Sequence, residues 1–393
     1  MTLAIHGGEP VRNSLLPYGR QWLDEDEIAA VVDTLKSPYI TQGPKITEFE
    51  SRVAEYVGAK HGIAFANGTA ALHGACYAAG LGEGDEVITT PVTFAASANC
   101  ALYMGASPVF VDIDNDTYNI DPQFVEKAIT PKTKAIIPVD FTGQPVDAAP
   151  ILEIAETHNL IVIEDAAHAI GASYKGRNVG SLSDMTMFSF HPVKHITTGE
   201  GGMIVTDSDE FAEKLRLFRA HGITKEHLSR DEGPWFYEMN DLGYNYRITD
   251  IQAALGLSQL AKLDQFVERR RQWVYFYNKA FSEMPEVTIP HQLPDTESSW
   301  HLYVLRLNLE YLSGGRREIF EALRAENIGV QVHYIPVHLH PYYHRLGYRK
   351  GLCPVAEDWY EEVISLPLFP KMTEADVDSV IAGVRKVLKH YRK

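Results

Sequence analysis

Cysteine is scarce in this chain: 393 residues hold three, Cys76, Cys100 and Cys353. They are far apart and show no metal-binding spacing, which argues against a disulfide-stapled secreted scaffold and fits a reducing cytosol. Basic charge is also short. Lys and Arg number 36 against 52 Asp and Glu, the formal net charge is -16, and no long basic run occurs. Nucleic acid and anionic membrane surfaces are therefore poor partners. No apolar stretch approaches the length of a membrane span, and no basic-then-apolar leader opens the sequence. A cytoplasmic protein is the expectation. Internal repeats and low-complexity tracts are missing. So is a Gly-x-Gly-x-x-Gly or Walker-type loop at a strand end, which weakens a reading as a plain nucleotide-binding module. The histidines His333, His338, His340 and His344 lack the acid or thiol company and regular spacing of a zinc site, so no metal is expected.

What is present is an ordinary globular composition, 45% hydrophobic and 22% charged, on a chain long enough for a large domain and a smaller one. Helices are predicted over 24–36, opened by Asp24, and from Ile46 to Val57, closed by Gly58. An alternation then begins. Apolar runs of strand length lie at 61–65, 86–89, 108–113, 134–139, 160–164, 185–190 and 202–206. Helix-compatible stretches at 69–80, 94–104, 121–129 and 148–158 separate the first five. This rhythm predicts an α/β fold, a mostly parallel seven-stranded sheet flanked by helices. A long helical stretch over 249–283 links it to a smaller C-terminal α+β domain with strands Tyr303–Leu307 and Val330–His333 and a last helix near Thr373. The expected division is a large domain over 1–250, including the N-terminal segment, and 251–393 beyond it.

In such sheets ligands gather at the carboxyl ends of the strands. After the first strand comes Asn67-Gly68-Thr69-Ala70-Ala71-Leu72, a tight turn opening a helix and a natural phosphate cradle. After the second, Phe94 offers a ring on which a planar ligand can stack. After the fifth, the acids of Glu164-Asp165-Ala166-Ala167-His168 end a strongly apolar run, which is costly without a cationic partner. After the sixth, Ser189-Phe190-His191-Pro192-Val193-Lys194-His195 sets a lysine on a turn before Gly199-Glu200-Gly201-Gly202. Burial and nearby positive charge lower a lysine's pKa and free its amine for carbonyls. Each signal alone has a plainer reading: an N-cap, a core phenylalanine, a structural salt bridge, a surface lysine. Together they describe one ligand, pyridoxal phosphate, whose phosphate meets the cradle, whose pyridinium meets the acid and whose aldehyde meets the lysine.

These motifs, with Ile40-Thr41-Gln42-Gly43, Thr93-Phe94, Gly243-Tyr244-Asn245-Tyr246-Arg247 and His333-Tyr334-Ile335-Pro336, closely resemble the sugar aminotransferases of the fold-type-I pyridoxal-phosphate superfamily, the DegT/DnrJ/EryC1/StrS family. The resemblance spans nearly the whole chain. It implies that Lys194 forms the Schiff base with the cofactor and that Asp165 pairs with the pyridine nitrogen. It implies that Gly68, Thr69 and Ser189 hold the phosphate, that Phe94 stacks on the ring, and that Asn245 reaches the phosphate from a neighbouring subunit of a homodimer. His168 stands where many members have glutamine, at a position that can contact the ring or its hydroxyl. Tyr18, Pro38, Tyr39, Ile40 and Thr41, with His333, Tyr334, Ile335 and Pro336, are implied on the nucleotide-sugar side. The family resemblance implies L-glutamate as donor, and the run Phe188 to Thr198 with the stretch His333 to Pro336 looks most like the pseudaminic-acid branch, which implies a UDP-linked 4-keto-6-deoxy sugar as acceptor. GDP-perosamine, UDP-bacillosamine or dTDP-amino-sugar synthesis by the same residues stays open, as does a catalytically silent regulator. A histidine in place of Lys194 would mark the related dehydratases; the lysine favours transamination.

Overall fold

The computed structural model describes residues 2–224 and 233–393. Seven strands form the central sheet: β1 (His61–Phe65), β2 (Glu86–Thr89), β3 (Ser107–Phe110), β4 (Thr133–Ile137), β5 (Ile161–Asp165), β8 (Met185–Ser189) and β9 (Gly202–Thr206), in the order β1-β9-β8-β5-β4-β2-β3. Between β5 and β8 lies a small hairpin of β6 (Ser173–Tyr174) and β7 (Arg177–Asn178). β8, β5, β4, β2 and β3 pair in parallel, whereas β9 is antiparallel to both β8 and β1. The strands are apolar along their length because both faces are covered: Ile163, Ala135 and Ile137 join one core cluster, and Val162 and Ile136 another.

The helices begin where local chemistry supplies a partner for free N–H groups. α1 (Glu25–Lys36) starts at a capping box, with Asp24 accepting at its N-terminus and Glu27 bonding back. α2 (Pro44–Val57) ends at Gly58, which takes φ 81°, the left-handed conformation a glycine adopts without strain. α3 (Gly68–Ala78), α4 (Ala96–Tyr103), α5 (Pro122–Ala128) and α6 (Ala148–His158) return the chain between strands, and α7 (Asp209–Phe218) follows β9. β10 (Ile223–Thr224) and β11 (Glu238–Met239) form a two-residue ladder.

The long helix expected over 249–283 is two: α8 (Asp250–Leu260) and α9 (Leu263–Phe281). Neither Pro nor Gly breaks it. The break follows the acid-rich first turn of α1, where Lys262 Nζ lies 2.6 Å from Asp24, 3.1 Å from Asp26 and 2.9 Å from Glu27. Beyond α9, β12 (Val287–Thr288), β14 (Tyr303–Leu307) and β15 (Val363–Leu366) make a second, antiparallel sheet, while β13 (Thr296–Glu297) joins the side hairpin. α10 (Arg316–Ala325), α11 (Pro341–Arg345), α12 (Pro354–Glu362) and α13 (Glu374–Tyr391) complete this half. The strand expected over Val330–His333 is instead a single bridge, Gln331 to Ser365. His333 leaves the ladder because its Nδ1 bonds Ser365 Oγ at 2.9 Å, turning the chain toward the first sheet. The N-terminal segment packs with this second half: Leu3 and Leu16 share a core with Trp273, Tyr277 and Tyr303.

One close approach sets the sheet against α3. Gly202, opposite Phe65 in the β1–β9 ladder, leaves room for the turn before that helix. A Cβ there would lie 2.6 Å from the Asn67 carbonyl oxygen and 2.7 Å from Gly68 Cα. Gly202→Ala should therefore cost roughly 1–3 kcal/mol of stability and weaken cofactor binding, read by thermal unfolding and cofactor titration. Parental values for both would show that the turn yields freely.

Candidate active site

Asp165 is the last residue of β5 and is 5% exposed. Its carboxylate accepts from Ser97 Oγ at 2.5 Å and from the Ala167 N–H at 3.1 Å. α4 presents Ser97, whose hydroxyl also meets Thr93 Oγ1 at 2.7 Å. Burial pushes the carboxyl up; the Ser97 and Ala167 donors and the Lys194 charge pull the other way. The adjacent acid, Glu164, is engaged separately, accepting from Thr186 at 2.7 Å.

The cradle is built by α3 and the end of β8. Asn67 caps α3 by accepting from the Ala70 N–H at 2.8 Å, and Asn67 O takes the Ala71 N–H. Of the four unpaired donors at a helix start, those of Gly68 and Thr69 remain for a ligand. Ser189 ends β8 beside them: a Cβ on Gly68 would come within 3.5 Å of its hydroxyl.

The turn after β8 closes on itself. Phe190 N–H donates to Gly201 O, Lys194 N–H to His191 O and Thr198 N–H to Phe190 O, with Thr197 Oγ1 on the same Phe190 carbonyl. Burial lowers the Lys194 amine to about 7; Asp165 acts against that shift and the Arg270 cation adds to it. Near neutral pH a large share of Lys194 is thus the free amine that reacts with carbonyls.

A cavity of about 710 Å³ connects these groups. Gly68, Thr69, Phe94, Asp165, His168, Ser189 and Lys194 all line it, as do Tyr18, His333 and Tyr334. Phe94 stands 63% exposed at its edge, 6.3 Å from the Tyr334 ring. His168 Nε2 and Tyr334 Oη lie 3.2 Å apart, and burial holds His168 neutral and drives the Tyr334 phenol up. Burial pulls His333 down to about 3. The other expected residues are outside this wall. Pro38, Tyr39, Ile40 and Thr41 run along the surface, where Thr41 bridges Thr249, and Asn245 is exposed beside Ala220. Ile335 is exposed and Pro336 lies past the cavity. Of the four histidines considered for a metal, His338 is paired with Glu357 at 2.7 Å and His333 with Ser365. A wider cleft of about 960 Å³, lined by Asn115, Tyr118 and Arg306, holds none of this chemistry.

Sequence reading missed Ser97, Asn67, Glu200, His73 and Tyr246 as site residues; all but Ser97 line the cavity. Asn67 was within reach as the residue before the glycine. Ser97 stands one helical turn beyond Thr93, a spacing that faces the same way only once the helix start is known.

The donor set fits pyridoxal phosphate. A helix start with open N–H groups and a serine suits the phosphate, a buried acid with one donor shell suits a ring N–H, and a desolvated amine suits the aldehyde. The profile of the DegT/DnrJ/EryC1/StrS aminotransferase family matches residues 21–385. The chain is 46% identical over 382 residues to the spore coat polysaccharide biosynthesis protein SpsC of Bacillus subtilis, covering 96% of this chain and 98% of that one. It is 46% identical over 385 residues to the uncharacterized protein MJ1066 of Methanocaldococcus jannaschii, covering 97% and 100%. Among solved structures it superposes on Helicobacter pylori PseC, an aminotransferase of pseudoaminic acid biosynthesis, with a TM-score of 0.91 and 34% identity over 96% of this chain and 100% of that one. The PMP form of Spr1654 from Streptococcus pneumoniae gives a TM-score of 0.91 at 34% identity, over 95% and 99%.

The Lys194 shift is directly measurable. In cofactor-free protein, acetylation of Lys194 followed by mass spectrometry should rise with a midpoint near pH 7, against roughly 10.4 for an ordinary lysine. A midpoint above 9 would mean that the amine is not desolvated.

Proposed function

The chain belongs to the DegT/DnrJ/EryC1/StrS aminotransferase family, and on that basis we propose that it moves the amino group of L-glutamate to the C4 carbonyl of a 4-keto-6-deoxy nucleotide sugar. The family and its solved members are pyridoxal-phosphate-dependent sugar aminotransferases, and so is this enzyme. The observation that carries the chemistry is the pairing of a desolvated lysine, lowered to about 7, with a buried acid across one cavity. The acceptor we favour is UDP-2-acetamido-2,6-dideoxy-β-L-arabino-hexos-4-ulose, supported by the likeness to PseC. The greater identity to SpsC, a polysaccharide biosynthesis protein, supports the same chemistry on another nucleotide sugar as the second reading.

In this reading Gly68, Thr69 and Ser189 hold the phosphate, Phe94 covers the ring and His168 lies against it. When bound, pyridoxal phosphate supplies an aldehyde for amines to condense with and an electron-withdrawing ring. Asp165 keeps a proton on the ring nitrogen by supplying the negative charge that its position favours. Lys194 Nζ takes the Cα proton of the amino donor and, in the return half, gives a proton to the sugar carbon that gains nitrogen. Tyr18, His333 and Tyr334 form the nearby wall on the sugar side.

The working unit we propose is a homodimer, in which Asn245 and the 38–41 segment serve the neighbouring site. Both lie on the surface of their own chain, and the stretch leading to Asn245 exposes large apolar side chains, with Trp235 74%, Leu242 70% and Met239 65% exposed. Such side chains are typical of a covered interface, and two-fold pairing is the commonest assembly. The same reading places the enzyme in the cytoplasm, with its domain division near residue 250.

Two experiments test the reading. A panel of 4-keto and 3-keto nucleotide sugars with glutamate, read by mass spectrometry, should show amination of the UDP-linked 4-keto sugar; amination of a dTDP or GDP sugar alone would move the assignment. Asp165→Asn should retain the cofactor but slow the glutamate half-reaction on the order of 10- to 1000-fold, since it removes a coupling of ~1–3 pKa units. Equal single-turnover rates would reduce Asp165 to a structural residue. For the assembly, a Lys194→Ala chain co-expressed with an Asn245→Ala chain should regain part of the activity in mixed dimers, and a fully active monomer would sink the shared site.

A further inference from the structure

The lysine turn is closed by its own backbone, and one side chain ties it to a distant segment. His195, the residue after Lys194, is 2% exposed, and its Nε2 lies 3.0 Å from the Ser299 carbonyl oxygen. A carbonyl only accepts, so Nε2 carries the proton and Nδ1 does not. That Nδ1 is buried and has no partner. Ser299 begins a short strap, Ser299-Trp300-His301, whose three carbonyls are all gripped by buried side chains. His195 takes the first; Arg270 Nη1, on α9, takes the other two at 3.3 and 3.1 Å. Arg270 Nη1 also reaches Leu368 O at 2.9 Å, while its Nε and Nη2 are buried without a partner among the described residues. The strap is held from the active-site side as well. Ser299 N–H donates to Gly143 O at 3.0 Å, Ser299 Oγ donates to His168 O at 3.2 Å, and the His301 ring lies 4.3 Å from His168.

We propose that His195 is a positioning residue for the transamination: its Nε2–H bond to Ser299 O anchors the lysine turn to the strap and so sets where Lys194 Nζ stands relative to Asp165. The inference rests on Lys194 being the reactive amine. The bond spans 104 residues and joins the end of the first sheet to the segment leading into β14. Its chemistry also fits the surroundings. The charged and titratable groups around Lys194 are Asp165 at the end of β5, Arg270 on α9, His168 in the turn after β5, His301 on the strap, His333 on the segment beyond β14, and His191 and Glu200 of the lysine turn, which line the same cavity. Asp165 is the buried acid among them, and Glu200 is exposed. A lysine or arginine at 195 would add a second buried cation beside an amine that must stay neutral, whereas a neutral imidazole supplies the N–H without the charge.

Side-chain amides separate this role from simple packing. The amide nitrogen of His195→Gln can occupy the place of Nε2, and that of His195→Asn only the place of Nδ1. In the holoenzyme, His195→Gln should keep kcat within about threefold of the parent and leave the pH midpoint of the cofactor absorbance in place. His195→Asn should lower kcat about tenfold or more, as a displaced reacting group does, and shift that midpoint by about half a pH unit, with KM for glutamate unchanged. Asn and Gln variants of equal rate and midpoint would overturn the proposal. If the Asn variant does not fold, the Gln variant decides alone: a tenfold loss there overturns the proposal, and parental behaviour upholds it. Failure of the underlying reading is distinguishable, because it would appear as an unmodified Lys194 in the borohydride-treated parent enzyme.

Discussion

The site depends on one electrostatic relation, between the Asp165 carboxyl, buried at the end of β5, and the Lys194 amine, partly buried in the wall of the same cavity. Burial raises the acid and lowers the base, so it drives both toward their neutral forms. Attraction between them opposes this. The result is a carboxyl held above its ordinary range and an amine held below its own. The protein tilts this balance with local dipoles, giving Asp165 the Ser97 hydroxyl and the Ala167 N–H, and giving Lys194 a cation, Arg270, among its neighbours. The neutral histidines His168, His195 and His301 stand near Lys194 without adding charge.

The fold delivers these groups to one place by a simple geometric rule. β5 and β8 are adjacent and parallel, so Asp165 and Ser189 leave the sheet at the same end. α3 starts at that end because β1 sits across β9 from β8, and Gly202 lets its first turn come close. The start of α3, the acid and the lysine turn are therefore neighbours through strand order, although the sequence separates the start of α3 from the lysine by more than a hundred residues.

This explains how much could be read from the sequence. The βαβ rhythm located the strand ends, and the residues at those ends, Gly68, Thr69, Asp165, Ser189 and Lys194, line the cavity. Short-range chemistry was legible too, as with the helix opened by Asp24 and the helix end at Gly58. What was not legible depends on contacts across the chain. Ser97 gains its role from Asp165, 68 residues away, and His195 from Ser299, 104 residues away. The split of the long helix falls at Lys262, which is likewise paired with distant acids, Asp24 and Glu27, at the start of α1. The Val330–His333 run has strand composition, yet the bond from His333 to Ser365 bends it off the ladder after one bridge.

The N-terminal segment has a consequence for the order in which the protein is made. Leu3 and Leu16 belong to the core of the second half, and the carboxylate of Glu326 receives the N–H groups of Ala4 and Val11, the latter from 315 residues away. On the ribosome these residues emerge before partners such as Glu326, which follows more than three hundred residues later, and must wait for them. Meanwhile the central sheet can assemble from segments already outside. The closing of so long a loop costs little more than that of a shorter one, since its entropy grows only logarithmically with length. The delay is one of time, and during it a strip of apolar side chains stays in water, where a chaperone or a neighbouring nascent chain can find it first.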